Sequence, residues 1–295
     1  MRVEYRIEPC KSALTQVRGM PFKWSLNPYM GCVHRCTFCY VRHFEQRADR
    51  PSDDRYGRSI RVKPNIAEVL RRELARTSWD RDEVALGTAT DPYQPAEGRF
   101  RLTRACLVEL DAAWTPYSIV TRGPLVVRDI DVLQEASARA GAEVFLSLPT
   151  LDERVWRTTE PGTAPPASRL EAVRRLAAAG IDVGIGIAPI LPGLSDDPAQ
   201  LEAVVRAARA AGARTIWASV VHVRPGVREH FLDALARDWP EEVARYEALF
   251  ASRAYLGAEV TSPILEPVRR ATAAVPSPRR RPARTPEPRQ LALTM

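Results

Sequence analysis

The chain has 295 residues, 45% of them hydrophobic, and a formal charge of +7. That is enough apolar content to bury a sizeable core in one large domain or two small ones. No run approaches the roughly 18 consecutive apolar residues of a membrane span. The most apolar stretch, IDVGIGIAPILPGL (181–194), is broken by Asp182, three glycines and two prolines. The opening MRVEYRIEPC is charged and lacks the apolar region of a signal peptide, so a soluble cytoplasmic protein is expected. Five cysteines, three of them clustered, do not read as a disulfide framework; metal or redox chemistry fits better.

The positive charge is concentrated at one end. Residues 266–295 carry seven arginines against Glu266 and Glu287, which is +5 of the +7. With six prolines and little apolar periodicity, this stretch is expected to be a disordered basic tail. It could touch RNA or DNA only non-specifically. Residues 1–20 read as an irregular segment and 21–265 as one domain.

In chain order, strand KWSLN (23–27) leads into GCVHRCTFCY (31–40). The helix NIAEVLRRELAR (65–76) places Ile66, Val69, Leu70 and Leu74 on one face. Strand VALGT (84–88) runs into TATDPYQPAE (88–97) and the helix LTRACLVELDAAW (102–114), whose apolar face includes Cys106. Strand YSIVT (117–121) precedes the helix DIDVLQEASARA (129–140). EVFLSL (143–148) precedes SRLEAVRRLAAAG (168–180), and VGIGIA (183–188) precedes AQLEAVVRAARAAG (199–212). The sixth strand, TIWASVV (215–221), is followed by helices at 227–237 and 240–256. Gly141, Gly180 and Gly212 sit where left-handed helix caps are expected, and Thr103 and Ser168 where N-caps are.

Six strand–helix repeats imply an α/β fold with a parallel sheet, partly closed as a barrel or open and doubly wound. In both, ligands sit at the C-terminal ends of the strands. The cysteine loop, TRGP (121–124), SLPT (147–150), APILPG (188–193) and VHVRPG (221–226) all fall just after strands. His222, in the last of these, is a candidate rim residue.

Cys32, Cys36 and Cys39 supply three thiolates from one tight loop, spaced Cys-x3-Cys-x2-Cys. Zinc is one reading, with His34 or His43 completing a Cys3His set. A 4Fe-4S cluster is the other; with three cysteines it keeps one iron open. Cys106 reads as core and does not offer a fourth ligand.

The motif, with Phe38 just before its last cysteine and Tyr40 just after, resembles that of the radical S-adenosylmethionine superfamily. That resemblance implies a partial (βα)6 TIM-like barrel, a 4Fe-4S cluster whose open iron is chelated by S-adenosylmethionine, and cleavage to a 5′-deoxyadenosyl radical. A nearer resemblance is to spore photoproduct lyase and its DNA repair photolyase-like group. It is carried by TDPYQ, FLSLPTLDERVWRTTEPGTAPP and GIGIAPI. It implies cofactor contacts at Phe38, Thr90, Asp91, Arg122 and Ser147, an electron donor of flavodoxin or ferredoxin type, and DNA or RNA as an admissible partner. Two departures stand out. Thr88 occupies the position of the lyase's hydrogen-donating cysteine, and Phe38 that of its first relay tyrosine; Tyr40 keeps the second. A non-catalytic iron–sulfur or zinc protein remains the alternative.

Overall fold

The computed structural model describes residues 3–53 and 55–277. It begins with β1 (Glu4–Ile7), β2 (Leu14–Gln16), β3 (Trp24–Leu26), β4 (Tyr29–Met30), α1 (Val41–Arg47), β5 (Ser59–Val62) and α2 (Ile66–Leu74). Next come β6 (Val84–Leu86), α3 (Pro95–Phe100), α4 (Leu102–Ala112), β7 (Tyr117–Thr121) and α5 (Ile130–Arg139). They are followed by β8 (Ala142–Ser147), α6 (Glu153–Thr159), α7 (Pro166–Ala178) and β9 (Asp182–Ile190). The chain continues through α8 (Pro198–Ala210), β10 (Thr215–Val220), α9 (Val227–Asp238), α10 (Val243–Leu249) and α11 (Ala258–Ala274).

The main sheet runs β10-β9-β8-β7-β6-β3-β2. From β3 to β10 every neighbouring pair is parallel and sequential, as right-handed crossovers produce. Among the described residues β10 does not pair with β2, so the sheet forms an open partial barrel. All six parallel strands lie where the β-rich runs predicted them. The predicted helix faces are also buried, Ile66, Val69, Leu70 and Leu74 on α2 among them, and Cys106 is fully buried as core. Each such aliphatic side chain contributes about 1.5–3 kcal/mol through burial. Gly141, Gly180 and Gly212 adopt φ of 94°, 79° and 98°, the left-handed caps expected of them.

Three expectations need correction. Residues 1–20 are not wholly irregular: β1 pairs in parallel with β5, and β2 runs antiparallel to β3. The small sheet β1-β5-β4 went unseen because its strands span only two to four residues, too short to show a period. The tail boundary at 266 falls inside α11, which carries Pro263 and Pro267 internally. Packing outweighs the backbone hydrogen bonds those prolines remove: Val268 is buried in the core and Ile264, Leu265 and Ala271 pack against it. The rest of the predicted disordered tail, 278–295, lies outside the described residues. Finally, Arg101 and Pro165, not Thr103 and Ser168, occupy the N-cap positions of α4 and α7, neither making a side-chain capping bond. The Thr103 hydroxyl instead donates to Pro92 O at 2.6 Å.

Candidate active site

The cysteine loop leaves β4 at the C-terminal rim of the barrel, between the two sheets. Cys32 and Cys36 are buried and Cys39 is half-buried. Burial pushes the Cys36 thiol well up, opposed by Arg122 and reinforced by Glu160, Cys39 and Cys32. Burial likewise raises Cys39, and Cys32 adds to it. Each thiol is thus within electrostatic reach of the other two. Three thiolates so gathered repel one another unless a cation lies between them, and a metal cluster meets that need.

The closed zinc set is not assembled. Among the described residues no three His, Cys, Asp or Glu side chains converge closely enough to hold a single metal ion. His34 is buried with Nδ1 3.2 Å from Asp91 Oδ2, and His43 is turned to Pro225 O. Burial opposes charge on His34, but the Cys32 thiol and the Asp91 carboxylate outweigh it and raise its pKa. Asp91 is lowered in turn: burial opposes its charge, and His34, Thr121 and the Arg122 amide overcome that. The two form a buried ion pair tying the loop to the ends of β6 and β7.

Two residues expected at the cofactor already spend their polar atoms inside the protein. Thr90 Oγ1 donates to Gly31 O at 2.6 Å and accepts from Gln94 Nε2 at 2.8 Å. Asp91 accepts from Tyr93 N, Thr121 Oγ1 and Arg122 N at 2.6–2.8 Å. Both hold the loop and the strand ends in place.

Arg122 and Phe38 lie beside the Cys36 thiol. The Arg122 guanidinium lies 5.7 Å from the Phe38 ring centroid, donates to Ala188 O at 3.2 Å, and pairs with Glu160. Burial disfavours its charge, which Cys36 and Glu160 more than restore. Ser147 is buried at the end of β8, on the face of Glu143 and Phe145 that turns away from the helices. Tyr40 and Thr88 come together: the Tyr40 hydroxyl donates to Thr88 O, while Thr88 Oγ1 accepts from Asn27 Nδ2 at 3.0 Å.

Sequence reasoning missed the buttress beneath this arrangement. Glu160 is 1% exposed and pairs with Arg169 at 2.8 Å as well as with Arg122. Arg169, fully buried, also donates to Ser147 O and Ala164 O at 2.9 Å each. Gly162 N donates to His34 O at 3.0 Å, and Thr37 N to Thr159 O at 2.9 Å. A Cβ on Gly162 would stand 2.4 Å from Val33 O, so only glycine lets the two loops lie this close. The signal was the EPGTAPP run itself, conspicuous in the sequence but without an evident task.

A family model described as "Radical SAM superfamily" matches residues 26–206. An uncharacterized protein of Mycobacterium tuberculosis is 40% identical over 250 residues, covering 84% of this chain and 74% of that one. A protein of Acidianus two-tailed virus is 29% identical over 227 residues, covering 72% and 71%. Among solved structures, spore photoproduct lyase complexed with dinucleoside spore photoproduct superposes with a TM-score of 0.69 at 13% identity, covering 92% of this chain and 79% of that one. A lyase variant with bound AdoMet and the same dinucleoside gives 0.67 at 15%, with the same coverage. At such identities the likeness is one of fold, and it matches the open partial barrel described above. The chain is an enzyme of the radical SAM superfamily.

Proposed function

We propose that Cys32, Cys36 and Cys39 hold a 4Fe-4S cluster with one open iron, at which S-adenosylmethionine is reductively cleaved. The observation that carries this reading is that one short loop at the barrel's C-terminal rim holds three largely buried thiols, with the Arg122 guanidinium beside its Phe38. When bound, such a cluster would supply the one electron that breaks the S–C5′ bond of S-adenosylmethionine, leaving methionine and a 5′-deoxyadenosyl radical. Arg122 is the cation suited to the cofactor carboxylate, by a charge-assisted hydrogen bond, and Ser147 offers a hydroxyl from the next strand. Phe38 closes the apolar side and keeps water off the thiols. Thr90 and Asp91 act one step back, positioning the loop.

The substrate is a nucleic acid in this reading. The support is the fold shared with a lyase whose structure holds a dinucleoside lesion. A flavodoxin- or ferredoxin-type protein supplies the electron in the cytoplasm. Reversal of the thymine lesion itself is not expected. A thiol can return a hydrogen atom to a carbon radical, whereas the Thr88 hydroxyl and the Phe38 ring cannot; of these three positions on the lyase's relay only Tyr40 keeps a transferable hydrogen.

Anaerobic reconstitution followed by S-adenosylmethionine and dithionite should release 5′-deoxyadenosine, even without substrate. Absence of that product from iron-loaded protein would refute the reading. With a spore-photoproduct dinucleotide, the wild type should yield little repaired thymine, and Thr88→Cys should raise the yield.

A further inference from the structure

Outside the cluster loop, a row of rings follows the barrel mouth. Tyr40, next to Cys39, lies 6.0 Å from His222 between centroids, at 31°. His222 stacks on Tyr255 at 4.7 Å and 11°. Phe44 meets Tyr40 edge-on at 5.9 Å. These rings come from α1 and its N-cap, from the exit of β10, and from the loop before α11. That loop is pinned by Val223 N donating to Ala254 O at 3.0 Å.

Of the seven exposed large apolar side chains among the described residues, three belong to this patch: Tyr255 at 53%, Phe44 at 42% and Tyr40 at 39%. The other four are single residues scattered elsewhere on the chain, so among the described residues this is the one place where exposed rings adjoin one another. Arg224 lies over Tyr255, 5.5 Å from its centroid, and donates to its hydroxyl at 2.8 Å. It makes no ion pair among the described residues. Burial, helped by Arg224, pushes the His222 pKa down, so its ring is a neutral stacking partner at pH 7.

An outward-facing stack of flat rings beside an uncompensated guanidinium matches one ligand chemistry, a planar base linked to a phosphate. We propose that Tyr255 and His222 form a stacking platform for one unpaired base of a single-stranded nucleic acid, with Arg224 taking the adjoining backbone phosphate. This rests on the nucleic-acid reading above and adds the residues that receive the strand. A duplex hides its base faces, so the platform selects unpaired nucleotides.

The test uses the full chain and a short oligothymidylate carrying one 2-aminopurine, whose fluorescence is quenched when it stacks. Binding through charge alone, including by the arginine-rich C-terminal residues, does not quench it. Wild type and Tyr255→Phe should quench, and Tyr255→Ala should lose the quench and about tenfold or more in affinity, as the loss of one stacked base predicts. Arg224→Gln should weaken binding and flatten its salt dependence by about 0.7 in the log–log slope. Matched deoxyuridylate and uridylate versions identify the preferred sugar, and quenching with either strand supports the platform.

Circular dichroism confirms that each variant is folded. If the wild type binds no nucleic acid, the substrate reading falls and the platform with it. If it binds and quenches, but Tyr255→Ala and Arg224→Gln do the same, the platform alone is overturned. The platform also falls if Tyr255→Ala weakens S-adenosylmethionine binding and leaves the oligonucleotide untouched, or if a blunt duplex quenches as well as the single strand.

Discussion

Glu160 spends both carboxylate oxygens on guanidinium groups, Oε1 on Arg122 and Oε2 on Arg169. Removing one member of a buried ion pair costs about 3–5 kcal/mol, because the partner stays buried and uncompensated. Glu160→Gln keeps the shape and removes the charge, so calorimetry should show a loss of that order. Burial opposes the carboxylate's charge, but Arg169 and Arg122 outweigh it and hold its pKa below the ordinary value. A depressed folded pKa means the stabilisation is complete above the unfolded value of about 4.3 and is lost as pH falls through the folded one. Between those two pKa values the wild type should lose stability faster than Glu160→Gln as the pH falls, a difference read from melting temperatures across a pH series. The cysteines behave differently. Alanine at Cys32, Cys36 or Cys39 should abolish the binding of about four irons per chain, measured by iron assay and visible absorbance.

At the scale of elements, the loop 160–166 acts as a second wall for the cysteine loop, and Gly162 is its contact point. In Gly162→Ala the new methyl would meet Val33 O and the His34 backbone at 2.4–2.8 Å. Neither is a flexible side-chain end, so one loop must shift, at about 1–3 kcal/mol. Iron retention after gel filtration should fall with the melting temperature, whereas Gly141→Ala, where a Cβ meets nothing within 4 Å, should cost stability without affecting iron. This wall was not legible in the sequence. The six parallel strands were, because each is a β-rich run between amphipathic helices. The cysteine spacing was too, because its ligands are local. The bond from Thr37 to Thr159 joins residues 122 apart, and no local period encodes such a pairing. The same holds for Asp91, whose partners His34 and Thr121 come from two other segments. For Thr90, residue type suggested a ligand where the surroundings make it an anchor.

For the whole molecule, the open side of the barrel makes the C-terminal helix part of the fold. α11 packs along α8 and β10, the strand at the sheet edge, and places Val268 in the main core. Its outer face adds the Arg270–Glu202 pair, which is exposed and worth little. Composition alone had assigned residues 266–274 to a disordered tail, because Pro267 and the charges of Glu266, Arg269 and Arg270 masked the apolar face. The distinction is testable with two truncations. A chain ending at Ser277 retains all of α11 and should melt close to the full-length protein. A chain ending at Pro267 loses Val268, whose burial is worth about 1.5–3 kcal/mol, together with the half-buried Ala271 beside it. It also removes the helix from beside Ala218 and the already exposed Trp217 on β10, an edge strand then free to pair with other chains. That truncation should lower the melting temperature by several degrees and aggregate on heating, as followed by calorimetry and light scattering. Equal melting of the two would mean that α11 is an ornament on the barrel rather than its closing wall.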